Sequence, residues 1–112
     1  MDWSMTNLGD GITRLALSGR MDVQGALAVD SVFNKVAEEY KNVVIDMAEV
    51  SYLASLGIRV LVVTCKALAA KGGNLVILSP QPTVEKVLRV SGVDGILPIA
   101  ADDVAARAIL LR

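Results

Sequence analysis

Histidine is absent from this 112-residue sequence, and cysteine occurs only once, as Cys65. Without histidine, Ser-His-Asp and Cys-His catalysis and histidine-containing metal sites are excluded. A single cysteine can form neither an internal disulfide nor a thiolate zinc site. We therefore expect a protein that holds no metal ion and uses none of these catalytic arrangements.

A long apolar run is also missing, although 54% of the residues are hydrophobic. None of the short runs approaches the ~18 residues that indicate a membrane-spanning helix. Residues 1–4 do not begin the basic and then apolar pattern of a secretion signal. We expect one domain over residues 1–112, located in the cytoplasm and without direct membrane binding.

The net charge is only -1, which argues against general nucleic-acid binding. The charges are nevertheless unevenly spread. Residues 1–58 hold eight acidic and four basic residues, whereas residues 59–90 hold five basic residues and one acidic residue. This asymmetry is compatible with steering of an acidic partner, but a solvated helix surface is the favoured interpretation.

Short apolar segments predict a small sheet. Residues 43–45 and 75–78 are continuous apolar runs, as in strands that are covered on both faces. Residues 3–8, the turn at 9–11 and the following β-rich segment predict a hairpin. A short last strand is predicted around residues 97–99.

Amphipathic helical patterns lie between these strands. The first covers residues 24–40, with Asp22 placed as its cap, and another covers residues 82–91. A C-terminal helix from Asp102 carries Val104, Ala108 and Leu111. The alternation of strands and helices predicts an α/β fold in which helices pack on a mixed sheet.

The helix predicted at residues 55–70 is apolar on two sides. Its first stripe should pack on the sheet and contains Ile58, Leu61, Val62, Cys65, Leu68 and Ala69. Its second stripe contains Leu56, Val60, Val63 and Ala67. The second stripe is either enclosed in the core or partly exposed to a partner, and the pattern favours neither alternative. Arg59 and Lys66 lie between the stripes and should be solvated.

Ser55 precedes this helix and is a candidate N-cap, because its hydroxyl can accept a free backbone N–H. The position would also suit a phosphoserine, since a helix N-terminus tolerates a dianion. From the residues alone, the capping role is the favoured interpretation.

Four segments resemble one known family. They are residues 46–61 (DMAEVSYLASLGIRVL), 19–22 (GRMD), 72–73 (GG) and 91–93 (SGV). They are similar in kind and order to motifs of the STAS domain family, in which bacterial anti-sigma factor antagonists carry Asp-Ser-Ser/Thr-Gly-Leu after a strand. The resemblance implies a STAS-type single domain with a mixed sheet of four to five strands and about four helices.

The same resemblance implies a function in partner switching, without enzyme activity or a cofactor. The unphosphorylated antagonist would bind an anti-sigma factor that is also a GHKL-type serine kinase, and phosphorylation of Ser55 would release it. A PP2C-type phosphatase would reverse the step. The residues implied in partner binding are Asp22, Ser55, Leu56, Gly57, Arg59, Val60 and Val63.

Two residues depart from the family motif: Ala54 replaces its Asp, and Leu56 replaces its Ser or Thr. Ser55 is then the only hydroxyl between Leu53 and Gly57. The departures keep open an alternative, in which the chain is an unphosphorylated STAS regulatory subunit of a transporter or of another signalling or secretion assembly. A nucleotide-binding enzyme is disfavoured, because the glycine pairs lack a phosphate-binding spacing.

Overall fold

The computed structural model describes residues 1–111, and it has the predicted alternation of strands and helices. Within residues 1–111, five strands, four α-helices and one 3₁₀ turn follow one another. Their bounds are β1 Asp2–Gly9, β2 Ile12–Met21, α1 Val23–Glu39, β3 Asn42–Leu53, α2 Ser55–Ala70, β4 Asn74–Leu78, α3 Pro82–Val90, the 3₁₀ turn Val93–Gly95, β5 Ile99–Ala100 and α4 Asp103–Leu110. The predicted α/β fold is thereby confirmed, and the last short strand lies slightly later than predicted.

The sheet has the strand order β1-β2-β3-β4-β5, with β1 antiparallel to β2 and the other neighbours parallel. The predicted hairpin is confirmed. Its turn residues Asp10 and Gly11 have φ values of 55° and 75°. Type I′ hairpin turns need positive φ at both central positions, which explains the Asp-Gly pair.

β3 is longer than predicted. The apolar run covers only residues 43–45, whereas the strand continues to Leu53. Its pairing with β2 shifts register twice, between Ala16 and Ser18 and between Gly19 and Arg20. Such irregularities accommodate extra residues and increase the local twist. Both strands therefore end together, at Met21 and Leu53.

Three helices cover one face of the sheet, and α4 covers the other. Sequential parallel strands joined by right-handed crossovers place their connecting helices on a single side. Accordingly, one core cluster joins Phe33 of α1, Leu61 of α2 and Leu88 of α3 to Ile45 and Ile77 of the sheet. The second cluster is smaller and contains Ile12, Val44, Val76, Leu78, Ala100, Ala106 and Leu110.

The apolar residues from which α4 was predicted are not the residues that it packs on the sheet. Val104, Ala108 and Leu111 are exposed, whereas Ala106 and Leu110 are buried. Ala106 and Leu110 belong to the smaller core cluster on that face of the sheet. None of the helices within residues 1–111 is both long and apolar enough to cross a membrane.

The prediction for the two stripes of α2 was partly wrong. The fully buried residues are Leu61 and Leu68 of the first stripe, which packs on the sheet as predicted, together with Gly57 and Thr64, which belong to neither stripe. Thr64 tolerates burial because its hydroxyl donates to the Val60 carbonyl oxygen at 2.8 Å. Ala69 of the first stripe is exposed, and Val63 of the second is exposed as well. Of the two alternatives for the second stripe, partial exposure is confirmed.

Candidate functional site

The junctions β2–α1 and β3–α2 lie side by side at one end of the sheet. The Ala54 N–H donates to the Met21 carbonyl oxygen at 2.9 Å, which links the two strand ends directly. In a parallel sheet, the helices that follow neighbouring strands begin at the same end of the sheet. The N-termini of α1, at Val23, and of α2, at Ser55, are therefore neighbours on the surface.

Asp22 caps α1 as predicted. Its Oδ1 accepts the Gly25 N–H at 2.8 Å, and its Oδ2 lies 3.6 Å from the Arg20 Nε. The hydrogen bond from Gly25 is the main cause that lowers the pKa of Asp22, and the charge of Arg20 adds to it. The Arg20 guanidinium also stacks on Tyr52, with its central carbon 4.5 Å from the ring centroid.

Ser55 is not the N-cap of α2, and this prediction was wrong. Ala54 occupies the cap position, with extended backbone at φ -94° and ψ 169°, and its carbonyl oxygen accepts the Ile58 N–H at 3.1 Å. The extended conformation of β3 continues one residue further than the sequence indicated, so Ser55 becomes the first helical residue. Ser55 is exposed, and no side chain caps this helix.

Gly57 has a packing role at this site. An added Cβ would lie 2.8 Å from the Leu53 Cδ1 and 3.0 Å from the Met21 Cγ. The first turn of α2 therefore sits directly on the two strand ends, at a distance that a larger residue would not allow. Since Gly57 is buried, it positions the surface residues around it and offers little surface of its own.

A groove of about 300 Å³ runs between α1 and α2 beside this end. Four residues predicted to bind a partner line it together: Leu56, Arg59, Val60 and Val63. On the side of α1 it is lined by Asp30, Phe33 and Asn34. The structure thus brings together most of the α2 residues in the predicted set, with Ser55 at the start of the same helix.

Val23 and Leu27 are surface residues that the sequence analysis missed. They share one helical stripe with Asp30 and Asn34, at spacings of i, i+4, i+7 and i+11, and they precede along α1 the residues that line the groove. Both are exposed apolar residues. Their position opposite the buried face of α1 was the signal that could have identified them.

Cys65 and the acidic residues are further reactive groups within residues 1–111. Burial raises the pKa of the Cys65 thiol, which lies 3.5 Å from the Ile96 carbonyl oxygen, so a nucleophilic thiolate is disfavoured. Within residues 1–111, no three His, Cys, Asp or Glu residues are grouped as a metal site would need.

Replacement of Asp22 by alanine should lower the melting temperature at pH 7, because the first turn of α1 loses its cap. Asparagine at position 22 is the matched control, since it keeps an acceptor and should cost less. The carboxylate pKa is lowered in the folded protein, so its stabilisation is complete above the ordinary value of 3.8 and is lost as the pH falls below it. Thermal unfolding between pH 7 and pH 3 should show the difference between wild type and D22A shrinking. A constant difference would contradict this account.

The comparisons with known proteins agree with one another. The family model described as the STAS domain matches residues 5–106. BtrV of Bordetella bronchiseptica, named as a candidate anti-sigma factor antagonist, is 30% identical over 100 residues, which cover 88% of this chain and 86% of that protein.

Solved structures give the same architecture. An anti-sigma factor antagonist from Mycobacterium paratuberculosis superposes with a TM-score of 0.87 at 22% identity, covering 99% of this chain and 94% of that one. The Bacillus cell fate determinant SpoIIAA in its phosphorylated form gives 0.72 at 17% identity, covering 96% and 99% of the two chains. At these identities the structures establish the fold.

Proposed function

The chain belongs to the STAS domain family, and from this premise we propose that it is an anti-sigma factor antagonist that switches between bound and free states. It acts by binding and not by catalysis. In the unphosphorylated state it binds an anti-sigma factor with GHKL-type serine kinase activity. Both proteins then act in the cytoplasm.

Phosphorylation of Ser55 ends the binding in this proposal. The kinase transfers the γ-phosphoryl group of ATP to the Ser55 Oγ, ADP leaves, and the hydroxyl proton passes to a base or to solvent. A PP2C-type phosphatase later hydrolyses the phosphoester with water. The observation that carries the proposal is the exposure of Ser55 as the first residue of α2, where no side-chain cap shields the helix end.

The local electrostatics favour a phosphate at this position. A phosphoserine adds about -1.5 to -2 charges at neutral pH, and the positive end of the helix dipole stabilises them. Arg59 lies one turn further on the same face of α2 and adds a cation. Ala54 contributes no charge, so phosphorylation here meets less repulsion than it would beside the Asp of the family motif.

The proposal is tested with the GHKL-type kinases of the genome that encodes this chain, each purified and incubated with the protein and ATP. One kinase should add a single phosphate, located at Ser55 by mass spectrometry, and S55A should remain unlabelled. Ser51 is also exposed, and S51A is the matched control that should be labelled normally. Equal labelling of S55A would contradict the assignment.

Binding of the same kinase provides the second measurement. S55E should bind at least roughly tenfold more weakly than wild type, because a charge is added where the partner docks. S55A should bind like wild type. If the kinase bound the chain stably without phosphorylating it, and S55E bound as tightly as wild type, the result would instead favour an unphosphorylated regulatory subunit of another assembly.

A further inference from the structure

Apolar side chains of α2 line the groove between α1 and α2, and exposed apolar side chains of α1 continue the helical stripe that lines its other wall. Leu27 and Val23 on α1 are 64% and 55% exposed, and Val63 on α2 is 57% exposed. Leu56 and Val60 are half-buried and line the groove together with Val63. Leu56, Val60 and Val63 share one groove, and such a set differs from singly scattered surface residues and is typical of an interaction site. We refer to the space between the two helices that is lined by Asp30, Phe33, Leu56, Arg59, Val60 and Val63 as the α1–α2 groove.

The two walls of the α1–α2 groove carry opposite charges. Asp30 lies on the wall formed by α1, and Arg59 lies on the wall formed by α2. Lys66 is exposed on the same outer side of α2, which contains no acidic residue. Among residues 1–111, neither Asp30 nor Arg59 takes part in an ion pair. Both charges are therefore available to a partner.

The backbone around the α1–α2 groove restricts the conformation of what can fill it. Both walls are helices, whose N–H and C=O groups are bonded within the helix, so the groove offers no strand edge to a bound segment. An extended segment would leave its own polar groups unpaired against apolar side chains. A helical segment satisfies its backbone internally and can place an apolar stripe in the groove.

We propose that the α1–α2 groove receives an amphipathic helix of the anti-sigma factor. The apolar stripe of that helix contacts Leu27, Leu56 and Val63. Its acidic flank faces Arg59 and Lys66, and a basic residue on its other flank faces Asp30. This inference rests on the proposed function, and it adds the conformation, orientation and charge pattern of the bound segment.

The same arrangement couples Ser55 to the α1–α2 groove. Ser55 and Arg59 are four positions apart in sequence, so their side chains lie on one face of α2. A phosphate on Ser55 attracts Arg59 and repels the acidic flank of the bound helix. Phosphorylation thus weakens the charge recognition on the wall formed by α2 and leaves the contact with Asp30 unchanged.

Variants of the α1–α2 groove test this inference with the kinase that binds the wild-type chain. R59E, D30K and V63S should each weaken binding by roughly tenfold or more, as measured by titration calorimetry. The matched controls lie elsewhere on the surface: K86E on α3, E39K at the end of α1, and V104S on α4, where the side chain is 80% exposed. The controls should bind within about twofold of wild type.

Methyl NMR spectra of the wild-type chain provide a measurement that does not depend on variants. Added kinase should shift the methyl signals of Leu27, Leu56, Val60 and Val63 and leave those of Val104 unchanged. Groove variants that bind like the controls, together with unshifted groove methyls, would overturn the inference. If S55E still weakened binding in that case, the proposed function would stand. A wild-type chain that bound no GHKL-type kinase would overturn both.

Discussion

Alanine at position 25 is expected to lower the free energy of unfolding by about 3 kcal/mol or more, an unusually large effect for a single added methyl group. Gly25 lies in the first turn of α1, and its Cβ would stand 2.1 Å from the Arg20 carbonyl oxygen. That atom belongs to the backbone of β2 and cannot rotate away as a flexible side chain would. The helix start must shift, and Asp22 then loses the geometry of its cap.

Urea unfolding followed by far-UV circular dichroism measures this effect for G25A. G95A is the matched control, because a Cβ at Gly95 would meet nothing within 4 Å and the backbone there is not in the left-handed region. The control should unfold within about 0.5 kcal/mol of wild type. Equal stability of G25A and G95A would show that α1 can separate from β2 without cost, contrary to the packing described above.

The sheet and its helices could be predicted because their signals are local. Apolar runs, the Asp-Gly turn and the 3.6-residue periodicity of α1 each specify an element from adjacent residues. β3 was underestimated because its second half is exposed at Glu49, Ser51 and Tyr52, where polar residues interrupt the apolar run. That half is held by pairing with β2 across two irregularities, which depend on long-range contact.

The start of α2 illustrates a different limit. Serine is a preferred N-cap residue, so Ser55 was the natural choice from sequence. The position of the cap is instead decided by the Ala54 N–H, which bonds the end of β2 and keeps that residue extended. A bond between segments far apart in sequence thus places the cap one residue earlier than predicted, a difference that is usual at a helix end, although the helix covers the predicted residues 55–70. The shift leaves Ser55 on the surface.

The candidate site combines predictable and unpredictable parts. The apolar stripe of Leu56, Val60 and Val63 is readable from sequence, but its exposure depends on how α2 rotates against the sheet and α1. Gly57 fixes that rotation, because only a residue without a side chain lets the buried residues of α2 approach Met21 and Leu53. The residues of α1 that line the groove could not be predicted, because their role depends on how α1 packs beside α2.

Alanine at position 33 is expected to lower the free energy of unfolding by about 3–5 kcal/mol, a large share of the roughly 5–15 kcal/mol typical of a domain. Phe33 is the only phenylalanine of the chain and is 1% exposed. Its ring belongs to the main core cluster and also lines the α1–α2 groove. Truncation therefore leaves a cavity between α1 and α2 and removes the floor on which a partner helix would rest.

Urea unfolding of F33A and F33L separates these two consequences. Leucine restores most of the volume, so F33L should lose less than about 1.5 kcal/mol. At a temperature where both variants are folded, F33A should also bind the kinase more weakly than F33L, because the groove collapses or fills with water. A loss of stability in F33A without any loss of affinity would mean that the floor of the groove is not part of the recognition surface. The core and the candidate docking site would then be independent, although one side chain contacts both.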